Sequence, residues 1–458
     1  MMDYVRAHNE NVHHVNILRN SETVFSADFY PYSGGVLHDV ASVTKSITST
    51  LIGMAIDRGL IAGADVPVLS FFPDVSIAHP DVRKQELTIR ELLTMTSGFC
   101  DDFSAGEAQL EAMRRDADAV HFMLNQPLVS EPGERFAYCS GASQLLSAIL
   151  TRATGMNALT FAEAHLFGPL GIQEVIWPAD PQGNNNGWGD LFIRPEDLAK
   201  IGQLFLERGT WAGQRLLSEA WVTEATSEHI RVADDEGYGF SWWRPDGLAG
   251  LYEGRGRGGQ RLVVWPEKRI VVVMIGSGFD PGAVGRFIVE AVQSDEPLRP
   301  NPEAHQRLRE KVSAASLPPP PKPVGPLPAI ASVISDRQFR FEPNEIGLTS
   351  FRLGFPGGSE ALLTLSLAIV RSQEFGDRVS PVGLDGRYRI SPTSRFGLPL
   401  AARGEWTGNE TFHLVYDEFA NNHMYDITIR FSESRAVWHM TERSGLFDIT
   451  LEATSDGQ

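Results

Sequence analysis

Ser42 and Lys45 stand three residues apart in "HDVASVTKSITSTLIGMAIDRGL", residues 38–60. On a helix that spacing puts them on one face, one turn apart. A serine hydroxyl needs a base to become a nucleophile, and a lysine held among apolar groups loses enough basicity to act as one. Bringing its pKa from about 10.4 to about 7 costs roughly 4–5 kcal/mol, at 1.36 per unit. A helix N-terminus also favours negative charge developing around the serine oxygen. The competing reading is that Ser42 caps the helix and Lys45 snorkels to the surface. About half a match to S-x-x-K is expected by chance in such a composition. Here it occurs once, in a chain with 6 lysines and 34 arginines, at the start of an apolar helix.

Two further stretches carry chemistry. Tyr138-Cys139-Ser140 in "FAYCSGAS" is the only Y-x-[SN] among nine tyrosines. A phenol beside a lysine can relay a proton to a leaving group, and Ser140 can donate a hydrogen bond to the lysine or substrate. A buried aromatic with a satisfied hydroxyl is the bland alternative. "EGRGRGGQRLVVW" matches G-x-G-x-x-G from Gly254 to Gly259 but runs into a strand, so a dinucleotide site is rejected. Glycines entering a strand permit close approach of a ligand to the backbone. A strand N–H here would form half of an oxyanion hole, with that of Ser42 as the other half; a glycine-rich hairpin turn is the alternative. A metal is not expected: His8, His13 and His14 fall in a stretch read as a frayed terminus, and there is no HExxH or paired CxxC. No G-x-S-x-G elbow is present.

Several elements must position these groups. "VNILRN" and "TVFSADFY" predict a hairpin turning at Asn20 and Ser21. A helix is expected from 42 to 58, stopped at Gly59, with others ending at Gly98, Gly155 and Gly209. "RLVVWPEKRIVVVMIGS" predicts two buried strands around a turn at 266–268, and "AVGRFIVEAVQS" a last helix. Strands at both ends with helices between them imply one antiparallel sheet covered by helices. "ASLPPPPKPVGPLPA" (315–329) reads as a semi-rigid linker. Beyond it, "ALLTLSLAIV", "TFHLVYDEF", "HMYDITIRF" and "AVWHMTE" predict a small barrel or sandwich. The expected domains are 1–312, a linker at 313–329, and a β-rich domain at 330–458. Loops such as 99–130 and 177–190 would shape the substrate pockets; "PQGNNNGWGD", with Trp188, reads more as a surface loop than as cleft lining.

The length of 458 residues allows two or three domains. The net charge of −18 argues against nucleic-acid and anionic-membrane partners. Cys100 and Cys139, the only two cysteines, do not make a disulfide framework. The polar start "MMDYVRAHNENVHH" and the lack of a long apolar run predict no signal peptide, no membrane span and a cytoplasmic location.

S-x-x-K at 42, Y-x-S at 138 and a Gly-rich strand start near 257 follow the motif order of the serine β-lactamase and penicillin-binding-protein superfamily. With tyrosine in the second motif, the chain resembles the class C branch. "SVTKSITSTLIGMAIDRGLI", "ELLTMTSGF" and "FAYCSGASQLLSAILTRATG" are similar to its family VIII esterase and 6-aminohexanoate-dimer hydrolase side, over residues 14–295. The resemblance implies an α+β fold, a β-lactamase-like antiparallel sheet flanked by helices, followed by an all-β C-terminal barrel or sandwich. It implies Ser42 as the acylated nucleophile, Lys45 as its base and Tyr138 as the group handling the leaving-group proton. Ser140 takes the third position of the second motif, where many relatives carry Asn. The third motif departs: Arg257-Gly258-Gly259, or Arg255-Gly256-Arg257, replaces the usual Lys or His, then Thr or Ser, then Gly. The lost hydroxyl weakens a β-lactam or D-Ala-D-Ala reading. Gln260 is the expected strand N–H of the oxyanion hole, with Gly259 as the fallback. His38 and Asp39 are expected to support the turn. The implied function is hydrolysis of small carboxylic esters or amides through an acyl-enzyme, without cofactor, with homodimerisation left open. The alternatives are a penicillin-binding or DD-peptidase or β-lactamase-type protein, an acylated sensor that does not turn over, and an inert scaffold.

Overall fold

The computed structural model describes residues 1–78, 80–296, 298–368 and 377–455. Strands Val12–Arg19 (β1) and Glu22–Asp28 (β2) form the expected hairpin, with Asn20 and Ser21 at φ 50° and 67°. A two-residue hairpin turn needs such left-handed residues. Ile230–Ala233 (β3), Glu236–Tyr238 (β4) and Trp243–Pro245 (β5) lead to Tyr252–Gly256 (β6), Gln260–Trp265 (β7) and Ile270–Gly276 (β8). The sheet order is β2-β1-β8-β7-β6-β5-β4-β3, so the first strands join the last. All seven residues of β8, "IVVVMIG", are buried, as a strand covered on both faces requires.

Three helices carry groups of the site, Val43–Asp57 (α1), Phe103–Arg115 (α2) and Ser140–Thr154 (α3), and a fourth, Pro195–Leu206 (α4), follows them in the chain. Gly59 and Gly155 follow α1 and α3 at φ 68° and 72°, the expected stops. α1 is buried from Val43 to Ala55. Four of its hydroxyls, those of Thr44, Ser46, Thr48 and Thr50, bond to carbonyls: Thr50 Oγ1 donates to Ser46 O at 2.7 Å and Ser46 Oγ to Ser241 O at 2.7 Å.

The C-terminal strands are Phe339–Phe341 (β9), Leu348–Gly357 (β10), Glu360–Leu367 (β11), Arg378–Gly383 (β12), Arg389–Ser391 (β13), Leu400–Trp406 (β14), Thr411–Glu418 (β15), His423–Phe431 (β16), Arg435–Glu442 (β17) and Asp448–Thr454 (β18). They run in the order β12-β11-β10-β9-β18-β17-β16-β15-β14-β13. A parallel bridge from Gly383 on β12 to Arg403 on β14 closes nine of the described strands into a barrel. Its core holds Phe339, Phe351, Phe412, Phe431 and Trp438. Residues 369 and 370 of the expected "ALLTLSLAIV" strand lie outside the described residues.

Two expectations need correction. His13 and His14 are not in a frayed terminus but in β1, at 0% and 1% exposure. The His13 ring packs 5.4 Å from that of His38 and 5.8 Å from that of Phe419, and His14 Nδ1 lies 2.6 Å from Asp28 Oδ1. The stretch before the proline-rich segment contains an unforeseen helix, Pro302–Ala315, with Asn301 Oδ1 accepting from Ala304 N–H at 3.0 Å. None of its residues is buried, so no apolar stripe marked it. The chain divides into two compact units, one of residues 1–14, 27–38 and 275–458, the other of residues 15–26 and 39–274. Every group of the candidate site lies in the second.

Candidate active site

Ser42 sits at the N-cap of α1 with φ −70° and ψ −6°, but its hydroxyl does not cap the helix. It is 3.0 Å from Lys45 Nζ and hydrogen-bonded to the Tyr138 phenol. Lys45 is 1% exposed, so it does not snorkel. The turn before Ser42 is held open against preference. Ala41 takes φ 47°, a conformation costly for a residue with a Cβ. Asp39 Oδ1 accepts the Ala41 N–H at 2.7 Å, and Ala41 O accepts the Thr44 hydroxyl at 2.6 Å. Asp39 therefore supports the turn, the role expected for it.

Burial drives the Lys45 amine down to about 7, against opposing pulls from Glu107 and Cys139. The neutral amine, with a lone pair available, is then populated at neutral pH. Lys45 Nζ also donates to Trp188 O at 2.8 Å and lies 4.8 Å from the Tyr138 ring centroid. Burial pushes the Tyr138 phenol upward, with Ser42 pulling the other way. Tyr138 thus stays protonated where Lys45 begins to lose its proton, which separates an acid from a base.

Met95 fixes the tyrosine from both sides. Its carbonyl accepts from Ala137 N–H at 2.8 Å, and its sulfur accepts from Cys139 N–H at 3.4 Å. Met95 itself is at φ 58°. The Tyr138 ring stacks with that of Trp243 at 6.0 Å and neighbours that of Phe103 at 5.8 Å. The two cysteines flank this region, each thiol bonded to Gln109 Oε1, from Cys100 at 3.3 Å and from Cys139 at 3.2 Å.

The third motif reaches the site through a residue the sequence left second. Gly256 pairs with Gln260 across a turn formed by Arg257, Gly258 and Gly259. A Cβ on Gly256 would lie 2.5 Å from Val40 O and 3.1 Å from Ala41 Cβ, so only glycine fits against the Ser42 turn. Gln260 is on the other strand of this hairpin, fully buried, with Nε2 donating to Arg257 O at 3.2 Å. Ser140 opens α3 at 2% exposure. Among the described residues the hydrogen bonds of Lys45 go to Ser42 and Trp188, not to Ser140.

The reading of "PQGNNNGWGD" as a surface loop is overturned. Asn184, Asn185 and Asp190 are buried, and the Trp188 carbonyl touches the lysine. Trp188 and Met95 act through backbone or thioether atoms, which no side-chain pattern advertises. Glu107 is the third group missed. Among the described residues no cluster of His, Cys, Asp and Glu is placed to hold a metal, and no helix is long and apolar enough to cross a membrane.

Comparison with known proteins gives the same frame. The beta-lactamase family matches residues 14–293. The 6-aminohexanoate-dimer hydrolase of Paenarthrobacter ureafaciens is 28% identical over 287 residues, 58% of this chain and 72% of that one. Esterase EstB of Burkholderia gladioli is 28% identical over 155 residues, 31% of this chain and 39% of that one. Among solved structures, a putative 6-aminohexanoate-dimer hydrolase from Bacillus anthracis superposes with a TM-score of 0.53 at 17% identity, covering 69% of this chain and 80% of that one. An octameric penicillin-binding protein homologue from Pyrococcus abyssi gives 0.52 at 16%, covering 98% and 97%. The two structural likenesses speak for the fold, and the family match runs over more than half of the sequence: this chain belongs to the beta-lactamase family and is a serine hydrolase.

Proposed function

We propose that Ser42 is the nucleophile, Lys45 its base and Tyr138 the proton donor in the hydrolysis of small carboxylic esters or amides. The observation that carries this reading is the buried Lys45 amine, lowered to about 7 and 3.0 Å from the Ser42 hydroxyl. Ser42 Oγ attacks the carbonyl carbon and its proton passes to Lys45 Nζ. As the tetrahedral intermediate collapses, the Tyr138 phenol gives its proton to the departing alkoxide or amine, and the lysine ammonium restores it. Water then attacks the acyl-serine along the reverse path, and Oγ recovers its proton. Negative charge on the carbonyl oxygen is taken up by the Ser42 N–H and by a strand N–H. The contact between Gly256 and Ala41 supports the Gly256–Arg257 end as the donor in place of Gln260 or Gly259.

The third motif lacks the hydroxyl that would hold a β-lactam or peptide carboxylate, which favours esters and amides, ω-amino-acid oligomers among them. The barrel core, drawn from residues 334–453, supports 330–458 as an accessory domain, with 313–329 as linker and 1–312 as the hydrolase. The test is a hydrolysis panel of p-nitrophenyl esters, nitrocefin, D-Ala peptides and aminohexanoate oligomers. Turnover of esters or amides above nitrocefin, lost in Ser42→Ala, is the expected result. Stoichiometric acylation without turnover would instead make the protein an acyl trap.

A further inference from the structure

The base at this site is oriented by a group that belongs to no side chain. A neutral amine has two N–H donors and one lone pair. With one N–H committed to Trp188 O at 2.8 Å, the lone pair can turn to the Ser42 hydroxyl at 3.0 Å. After proton transfer the same carbonyl accepts from the ammonium. A base held by a third group is the general logic of an activated nucleophile, and here the third group is a peptide carbonyl in the loop 184–190.

That carbonyl is held by the peptides before it. Gly187 N–H donates to Gln144 Oε1 at 3.1 Å, and Gly187 O accepts from the Thr48 hydroxyl at 2.9 Å. Gln144 is itself fixed, its Nε2 donating to Asp180 Oδ2 at 3.0 Å, while Asp180 Oδ1 accepts from Asn184 N–H at 2.9 Å. Two residues before Gly187, Asn185 O accepts from the Ser147 hydroxyl at 2.7 Å. A Cβ on Gly187 would lie 2.2 Å from Ser143 O, so the loop rests directly on α3. Gln144 is 1% exposed and Thr48 0%. Two polar side chains are thus buried against the backbone of one residue, where apolar ones would fill the same space without a desolvation cost. Thr48 stands three residues after Lys45 on α1, and Gln144 four after Ser140 on α3. The helices that carry the two motifs therefore grip the same residue, one through its N–H and the other through its carbonyl.

We propose that Gln144 is a positioning residue for the reaction: by clamping the Gly187 peptide, with Thr48 on its other side, it holds the Trp188 carbonyl against the amine that activates Ser42. This rests on the assignment of Ser42 and Lys45 above. Lost clamping leaves the carbonyl free to drift, and misplacement by about 1 Å costs up to about a hundredfold in rate.

The test uses the full chain with Gln144→Leu, Thr48→Val, the double variant and Ser42→Ala, assayed with a p-nitrophenyl ester from pH 5 to 9 beside thermal melts. Gln144→Leu is expected to lower kcat by about tenfold to a hundredfold with KM within about twofold. The acidic limb of kcat/KM should move to lower pH, because the ammonium loses an acceptor. Thr48→Val should do the same more weakly, and the double variant should be no worse than the product of the singles predicts, since both act on the backbone of one residue. If Gln144→Leu does not fold, Thr48→Val decides by the same limb. Wild-type kcat and pH limb in the folded variants, with Ser42→Ala inactive, overturn this inference alone. Activity that survives in Ser42→Ala overturns the Ser42 assignment and this inference with it.

Discussion

The Glu107 carboxylate acts on the Lys45 amine through space: burial lowers the amine to about 7, and Glu107 is the largest influence in the opposite direction. Removing that charge while keeping the shape lowers the amine further. In Glu107→Gln the acidic limb of kcat/KM therefore shifts below its wild-type position near pH 7, so relative activity at pH 6 rises. A pH–rate profile on one p-nitrophenyl ester checks this, and an unmoved limb would separate Glu107 from the base.

Lys45 also destabilises the fold. Its pKa falls from 10.5 in the unfolded chain to about 7 in the folded one. Below pH 7 both states hold the proton and the full cost applies, about 4–5 kcal/mol. Between 7 and 10.5 the unfolded chain binds more protons, so stability gained from deprotonation rises with pH. Lys45→Met is thus expected to abolish turnover yet melt higher than wild type at pH 6–7, with the gap closing towards pH 10. Denaturation midpoints across that range measure it.

Gly256 admits no side chain. In Gly256→Ala the new Cβ meets Val40 O and Ala41 Cβ, so β6 must retreat from the Ser42 turn. Overpacking of this kind costs about 1–3 kcal/mol. We expect a lower melting temperature and a loss in kcat of at least about tenfold, comparable to removing an oxyanion donor. Near-wild-type kcat would move the oxyanion donor elsewhere on the hairpin.

We expect His38 to make the protein acid-sensitive. Burial first, and the nearby His13 second, hold its imidazole well below 6.5. The folded state keeps it neutral, so its contribution is whole above pH 6.5 and declines as pH falls below that value, by up to about 1.36 kcal/mol per unit. Replacing His38 with Gln should flatten the pH dependence of the melting temperature between pH 6.5 and 5, even if the variant is less stable throughout.

The candidate triad was legible because each member is a side chain with positional meaning. Ser42 and Lys45 declare themselves by helical spacing, and Tyr138 by the glycine-stopped helix that follows it. The barrel was legible where strands alternate, as in "HMYDITIRF". What stayed hidden has a common cause. The Trp188 carbonyl looks the same at every position of every chain, and the loop holding it is polar because its polar groups satisfy one another out of water. His13 and His14 read as part of a frayed terminus for the same reason: the groups packed on them, Asp28 and the rings of His38 and Phe419, come from later in the chain. Helix Pro302–Ala315 has no buried face to leave a periodic trace.

The place of β1 between β2 and β8 has a consequence for biosynthesis. A ribosome delivers this hairpin well before the neighbour that shields it, which is translated some 250 residues later. Until then an apolar edge waits unpaired, and such late, long-distance closure slows folding and invites association with other nascent chains.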